Sequence, residues 1–331
     1  MKPEIASLIS RPFNITVYHV GGGDNAIGPP ERILRTLPDN SLLVVFEIRS
    51  KHSEPIEIRT FKRTGQKMLS INRGVDIKSA KRAFHINRFP LSSSLLESSP
   101  IARNEDPGYP FCHTWGENTE VDSETIVNVS ALDEIIEELD LPKPDFLSVD
   151  AQGAELNILR GAENAFSDSI VGAVTEVEFS EIYSKQALFD EQMSWYSERG
   201  LRLVEIFNQQ KWHPGPRMPG DAFLTVGEAL FIKYVHGFED GEDRPKRGFV
   251  ELESESGISL LKTMAIARSF KLLSYTVKLG HMILERHPDV VDICKSVPVL
   301  EQCLKLSEHV TANLPNYAND KDYFIKSVRL I

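Results

Sequence analysis

At 331 residues, with 41% hydrophobic and 26% charged side chains, the chain has the composition of a soluble globular protein long enough to bury a substantial core. A formal charge of −11 argues against a partner held through a phosphate backbone, so nucleic acid is not an expected partner. No run of about 18 apolar residues suggests a membrane span, and the opening "MKPEIASLISRPFNITVY" lacks the features of a signal peptide, so the expected location is cytoplasmic.

Residues 1–13 read as a lead-in. "NITVYHV" and "SLLVVFEI" then read as buried strands, short, β-branched or aromatic, and bounded by turn formers. Between them "PERILRTLPD" fits a short helix with prolines at its start and just after its end. This is one βαβ unit, which implies a parallel sheet with a right-handed crossover. Gly21, Gly22 and Gly23 follow the first strand, where glycine lets the backbone turn tightly and approach a ligand. Glu47 closes the second strand, a place from which an acid accepts hydrogen bonds from ribose hydroxyls. Two cofactor classes fit these features. Gly21, Gly23 and Ala26 match G-x-G-x-x-[GA], a dinucleotide pattern, whereas S-adenosylmethionine needs only one or two glycines and the acid. Pro29 and Pro30 displace the helix start from the glycines, which weakens a pyrophosphate site at a helix N-terminus.

The basic zone formed by "RTFKRTGQK" and "KSAKR" reads as a solvated edge of loops and short strands. "SALDEIIEELDLP" predicts a helix, with Ser130 and Asp133 spaced as a capping box. "DFLSV" is the next strand, and Asp150 stands where it stops, with its carboxylate expected in the crevice at the strands' carboxyl ends. Gly153 gives the turn room, Glu155 sits in the first turn of a helix running from about Ala154 to Phe166, and its reading is structural. "IVGAVTEVEF" carries Glu176 and Glu178 on one face of a strand. With Asp150 they form a carboxylate cluster suited to general-base work, or, as the less favoured alternative, to a divalent cation. A helix over "LFDEQMSWYSERG" ends at Gly200, and "LRLVEIF" and "GEALFIKYV" read as two final strands that pair antiparallel. His213 lies in the loop "QQKWHPGPRMPGD", placed to cover an acceptor site and to serve as another candidate base.

The alternation from residue 14 to 236 predicts an α/β fold, a doubly wound, mostly parallel sheet with an antiparallel edge strand. Residues 237–256 read as a charged linker and residues 257–331 as an all-α C-terminal extension that packs on its own sheet or on a second copy in a homodimer. Cys112, Cys294 and Cys303 form no CxxC pair and read as buried thiols.

"DFLSVDAQGAELNILRGA" closely resembles the signature of FkbM-type methyltransferases, S-adenosylmethionine-dependent enzymes of the class I Rossmann-like fold that mostly methylate hydroxyl oxygens of sugars and natural products. "VTEVEFSEIYSKQALFDEQMSWYSERGLRLVEI", "VSALDEI" and "HINRFPLSSSLLE" are similar to neighbouring segments of that family, so the resemblance spans about residues 14–236. It implies Gly21 and Gly23 around the methionine part of the cofactor, Glu47 on the ribose, Asp150 beside the methyl donor, and Ser93 and Ser94 near the pocket. It departs from the family in "HVGGGDN", where His19 replaces an acid and Asn25 a glycine; Asp24 is then the acid available to the cofactor's amino group. The expectation is an O-methyltransferase acting on a sugar or related polyhydroxy acceptor. A nicotinamide-dependent oxidoreductase and a non-catalytic interaction protein of the same fold are the alternatives.

Overall fold

The computed structural model describes residues 3–21, 27–48, 56–108, 113–215, 222–237 and 247–313. In chain order the first half gives α1 (Pro3–Leu8), β1 (Ile15–Gly21), α2 (Glu31–Thr36), β2 (Ser41–Glu47), β3 (Ile56–Thr60), β4 (Lys67–Asn72), β5 (Gly74–Val75), β6 (Ala80–Asn87), α3 (Trp115–Asn118) and β7 (Val121–Ser130). The second half gives α4 (Leu132–Glu138), β8 (Phe146–Asp150), α5 (Glu155–Arg160), α6 (Glu163–Asp168), β9 (Gly172–Glu178), α7 (Phe189–Glu198), β10 (Leu201–Trp212) and β11 (Phe223–Lys233). Four helices follow: α8 (Gly257–Ser269), α9 (Leu273–Arg286), α10 (Val291–Lys295) and α11 (Pro298–Ala312).

Eight strands form one sheet in the order β10-β11-β9-β8-β1-β2-β4-β3, while β5, β7 and β6 make a small second sheet. β1 pairs in parallel with β2 on one side and β8 on the other, so the chain reverses its winding direction between β1 and β8. Strands buried on both faces are mostly apolar, which is why β1 and β8 read as near-continuous apolar runs, interrupted by Thr16, His19 and Ser148. Of the two antiparallel members, β3 occupies one edge. β11 pairs antiparallel with β10 as expected and lies one place in from the other edge, between β9 and β10. Burial accounts for the order: β11 is buried along most of its length, whereas β10 exposes residues along its middle and takes the edge.

Both faces of the sheet are covered. α1, α4, α5, α6 and α7 pack on the face bearing Tyr18, Val44, Leu147 and Phe231. α2 and α8 to α11 pack on the other, with Leu260, Leu261, Met264 and Ile266 of α8 in one buried cluster with Val17, Val45 and Leu230. The C-terminal helices thus spend their apolar faces on this chain's own sheet. Polar ties fix them there. Lys262 on α8 pairs with the buried Asp145 at 2.6 Å, and the other Asp145 oxygen accepts from the Thr16 amide at 2.8 Å. Lys233 and Glu255, both largely buried, pair at 3.2 Å.

Two local expectations are corrected. The helix read from Ala154 to Phe166 breaks into α5 and α6 at Gly161, whose Cα sits so close to the Asp76 carbonyl that a side chain would collide with it. Ser130 and Asp133 do not form a capping box. Asp133 instead accepts from the Asn164 and Ala165 amides and caps α6, while Glu134 accepts from the Ala131 amide at the start of α4. Gly200 does end α7 in the left-handed region, φ +75°, as a C′ residue should. Cys294 and Cys303 are buried, and burial pushes their thiols up to about 12 and about 11, as inert core thiols require; Cys112 lies outside the described residues.

Candidate active site

A cavity of about 610 Å³ opens at the carboxyl ends of β1, β2, β8 and β9, a size that suits a cofactor with a small acceptor. It lies where the winding direction reverses, the place where open α/β sheets bind ligands. Gly21 and Asp150 are register partners at its floor. Gly21 has φ +86°, and a Cβ there would run into the Asp150 carbonyl oxygen, so only glycine lets β1 and β8 stay paired to their ends. Glu47, at the end of β2, lines the same cavity.

Asp150 faces a network of carboxyls. Gln152 Nε2 donates to Asp150 Oδ1 and to Glu176 Oε2, each at 2.8 Å, and so joins the two acids. The single Tyr183 hydroxyl proton lies between two acceptors, Gln152 Oε1 at 3.0 Å and the Ser92 carbonyl at 2.8 Å, and donation to the first fixes the amide's orientation. Gln152 holds this position in the left-handed region at φ +55°, followed by Gly153 at +94°. Glu155 curls back so that its Oε1 accepts from the Ala151 and Gly153 amides at 2.8 and 3.2 Å. Glu176 and Glu178 share a strand face as expected, and Glu228 stands opposite Glu176 on β11. Asn208 donates to Glu228 Oε1 at 2.9 Å.

Burial is the first cause acting on every one of these acids. It raises Asp150, opposed by hydrogen bonds from Gln152 and Glu176. It pushes Glu155 up to about 7 and holds Glu176 and Glu178 well above the carboxylate range, with the neighbouring acids adding to the shift. Glu228 is raised by the same cause.

His19, where an acid stands in the resembled family, is 2% exposed and lines the cavity. Its Nδ1 lies 3.0 Å from Ser148 Oγ, and its Nε2 has no hydrogen-bond partner among the described residues. Burial lowers its pKa to about 4. Because the folded value lies below the unfolded one, the unfolded chain binds more protons at acid pH. The stability is therefore complete above about pH 6.5 and is lost as pH falls toward 4. The contribution is about 2 kcal/mol between pH 7.5 and 5. Urea unfolding of the native chain and of His19→Gln at several pH values should show the native chain losing more stability on acidification, whatever the carboxyls add to both. Equal slopes would refute the buried, neutral imidazole.

The structure gathers Gly21, Glu47, Ser93, Asp150 and Glu176 around the cavity. Ser94 is close by, but its hydroxyl donates to the Gln152 carbonyl at 2.7 Å and accepts from the Leu96 amide, so it fastens the turn. Glu178 lies beneath the cavity wall, 0% exposed. His213 is not among the lining residues: its backbone pairs with Asp106, and the preceding Trp212 takes the place on the wall. Gly22, Gly23 and Asp24 lie outside the described residues. Gln152, Tyr183 and Glu228 have no role in the sequence reading, and Glu155 has only a structural one at the helix start. Glu228 carried a signal, as the lone acid in the otherwise apolar run "TVGEALFI".

Residues 62–203 match the family model described as the methyltransferase FkbM domain. That span includes the strand and turn of Asp150, Gln152 and Glu155 as well as Glu176 and Glu178. It is narrower than the resemblance read over residues 14–236, and Gly21 and Glu47 precede it. No curated protein and no solved structure matches the chain. Among the described residues no helix is long and apolar enough to cross a membrane.

Proposed function

Since residues 62–203 match the methyltransferase FkbM domain, we propose that the chain is an S-adenosylmethionine-dependent O-methyltransferase of class I Rossmann-like fold, acting on a hydroxyl of a sugar or related polyhydroxy compound. The observation that carries the reading is the meeting of Gly21, Glu47 and Asp150 on one cavity at the reversal of strand winding. The residues fit the cofactor. Glu47 lines the cavity at the end of β2, where it is placed to accept from ribose hydroxyls, and Gly21 keeps β1 paired with β8 up to the cavity floor, which leaves the strand ends open to a nucleoside.

When bound, the cofactor supplies an electrophilic methyl on a sulfonium. The chain's own work is to align a hydroxyl and take its proton. Asp150 is the residue for the proton: it stands at the strand end on the cavity floor, and Gln152 holds it from one side. Glu228 accepts from a further hydroxyl of the acceptor, and Phe84, Leu91 and Trp212 give that cavity its apolar wall. Carboxylates beside apolar surface suit a ring carrying several hydroxyls.

Calorimetric titration with S-adenosylhomocysteine and with NAD tests the cofactor. Binding of the first in the micromolar range or tighter, with none of NAD, is the expected result. Tight NAD binding without the homocysteine compound would overturn the proposal in favour of an oxidoreductase, and binding of neither would favour an interaction protein.

A further inference from the structure

Beneath the cavity, Glu155 at the start of α5 and Glu176 and Glu178 on β9 each bring one carboxylate oxygen to within 4.8 Å of the others. Acids gathered in this way are common without any ligand, and two further facts set these apart. Glu178 is 0% exposed, and neither of its oxygens has a hydrogen-bond partner among the described residues. Gln186 is a neighbouring amide: its Oε1 accepts from the Ile182 and Tyr183 amides, and its Nε2, which acts electrostatically on the Glu178 carboxyl, completes no hydrogen bond to it. In addition, no lysine or arginine among the described residues pairs with any of the three acids. A fully buried carboxylate without a donor is costly, and the ordinary remedies are a cation or a bound proton.

We propose that Glu155, Glu176 and Glu178 hold a hard divalent cation beneath the floor of the cavity. All-oxygen donors select magnesium, calcium or manganese over zinc or copper. Their separation favours the larger ions, since calcium–oxygen bonds of about 2.3–2.6 Å span it with little movement, whereas magnesium would draw the acids closer together. Glu155 is fixed for the task by the Ala151 and Gly153 amides, and Glu176 by Gln152, so two of the three ligands are already oriented by neighbours. Glu176 borders the cavity, which provides the ion's way in. The ion stabilises the turn between β8 and α5, and this role is independent of the methyl-transfer reading.

The test uses the full chain, freed of metal with a chelator and titrated separately with manganese, calcium and magnesium chlorides. Manganese is followed by its paramagnetic resonance signal, and all three by calorimetry and thermal unfolding. The expected result is one manganese per chain, a higher unfolding temperature with manganese or calcium, and an affinity that falls at least about tenfold in Glu178→Gln. Glu228→Gln, whose acid lies outside the trio, should stay within about threefold of the native affinity. Absence of binding by the native chain up to about 1 mM of each ion overturns the proposal and leaves the acids protonated. Native affinity in a folded Glu178→Gln also overturns it. Should that variant fail to fold, Glu178→Asp replaces it, and the native titration decides by itself whether an ion binds.

Discussion

Deleting residues 257–331 is expected to abolish folding rather than release a free α/β domain. α8 alone brings Leu260, Leu261, Met264 and Ile266 to full burial in the core between the sheet and the C-terminal helices. At about 1.5–3 kcal/mol for each such side chain, these four contribute roughly 6–12 kcal/mol, which equals the whole net stability of an ordinary protein. The deletion also strands Asp145, whose buried carboxylate loses Lys262, a break that costs about 3–5 kcal/mol. Either loss is severe, and together they leave nothing to hold the sheet. Circular dichroism and urea unfolding of the truncated chain decide the matter. A soluble monomer with a cooperative transition would show that residues 1–256 form a separable domain and that the helices are an appendage.

The second large effect belongs to chemistry. Asp150→Asn should keep the hydrogen bond partnership with Gln152, since the amide has the shape of the carboxylate, yet cannot take a proton. General-base loss of this kind costs about 10²- to 10⁴-fold in rate. Transfer of labelled methyl from S-adenosylmethionine to a pool of polyhydroxy acceptors should fall by that factor while S-adenosylhomocysteine binds as before. A native rate in the variant would remove Asp150 from the role of base, and a loss of cofactor binding would reassign it to holding the cofactor.

How far the sequence reveals this molecule depends on the range of the interaction in question. β1, β2, β8 and β9 are legible because a strand buried on both faces is predominantly apolar, a property of the residues themselves. The shared face of Glu176 and Glu178 is legible from the two-residue period, and the close of α7 from Gly200. What is illegible is set by distant partners. Asp133 caps a helix some thirty residues away because the fold brings α4 and α6 together, and no local spacing announces that. Glu155 reads locally as an acid favoured by a helix start, and only the return of β9 beside β8 makes it one of a buried group. The same holds for the inward place of β11, which follows from a competition in burial between two strands. His213 shows the opposite failure. Its loop composition suggested chemistry, but strand pairing with Asp106 decides its position.

One consequence of the turn after β8 is mechanical. Gln152 is a side chain of four heavy atoms beyond Cβ in a left-handed conformation that costs an L-residue about 1–2 kcal/mol. The conformation persists because the amide is clamped at both ends, by two acids on one side and the Tyr183 hydroxyl on the other. The turn therefore acts as a loaded spring latched by its own contents: backbone tension and the alignment of Asp150 with Glu176 are coupled, and whatever slackens one releases the other.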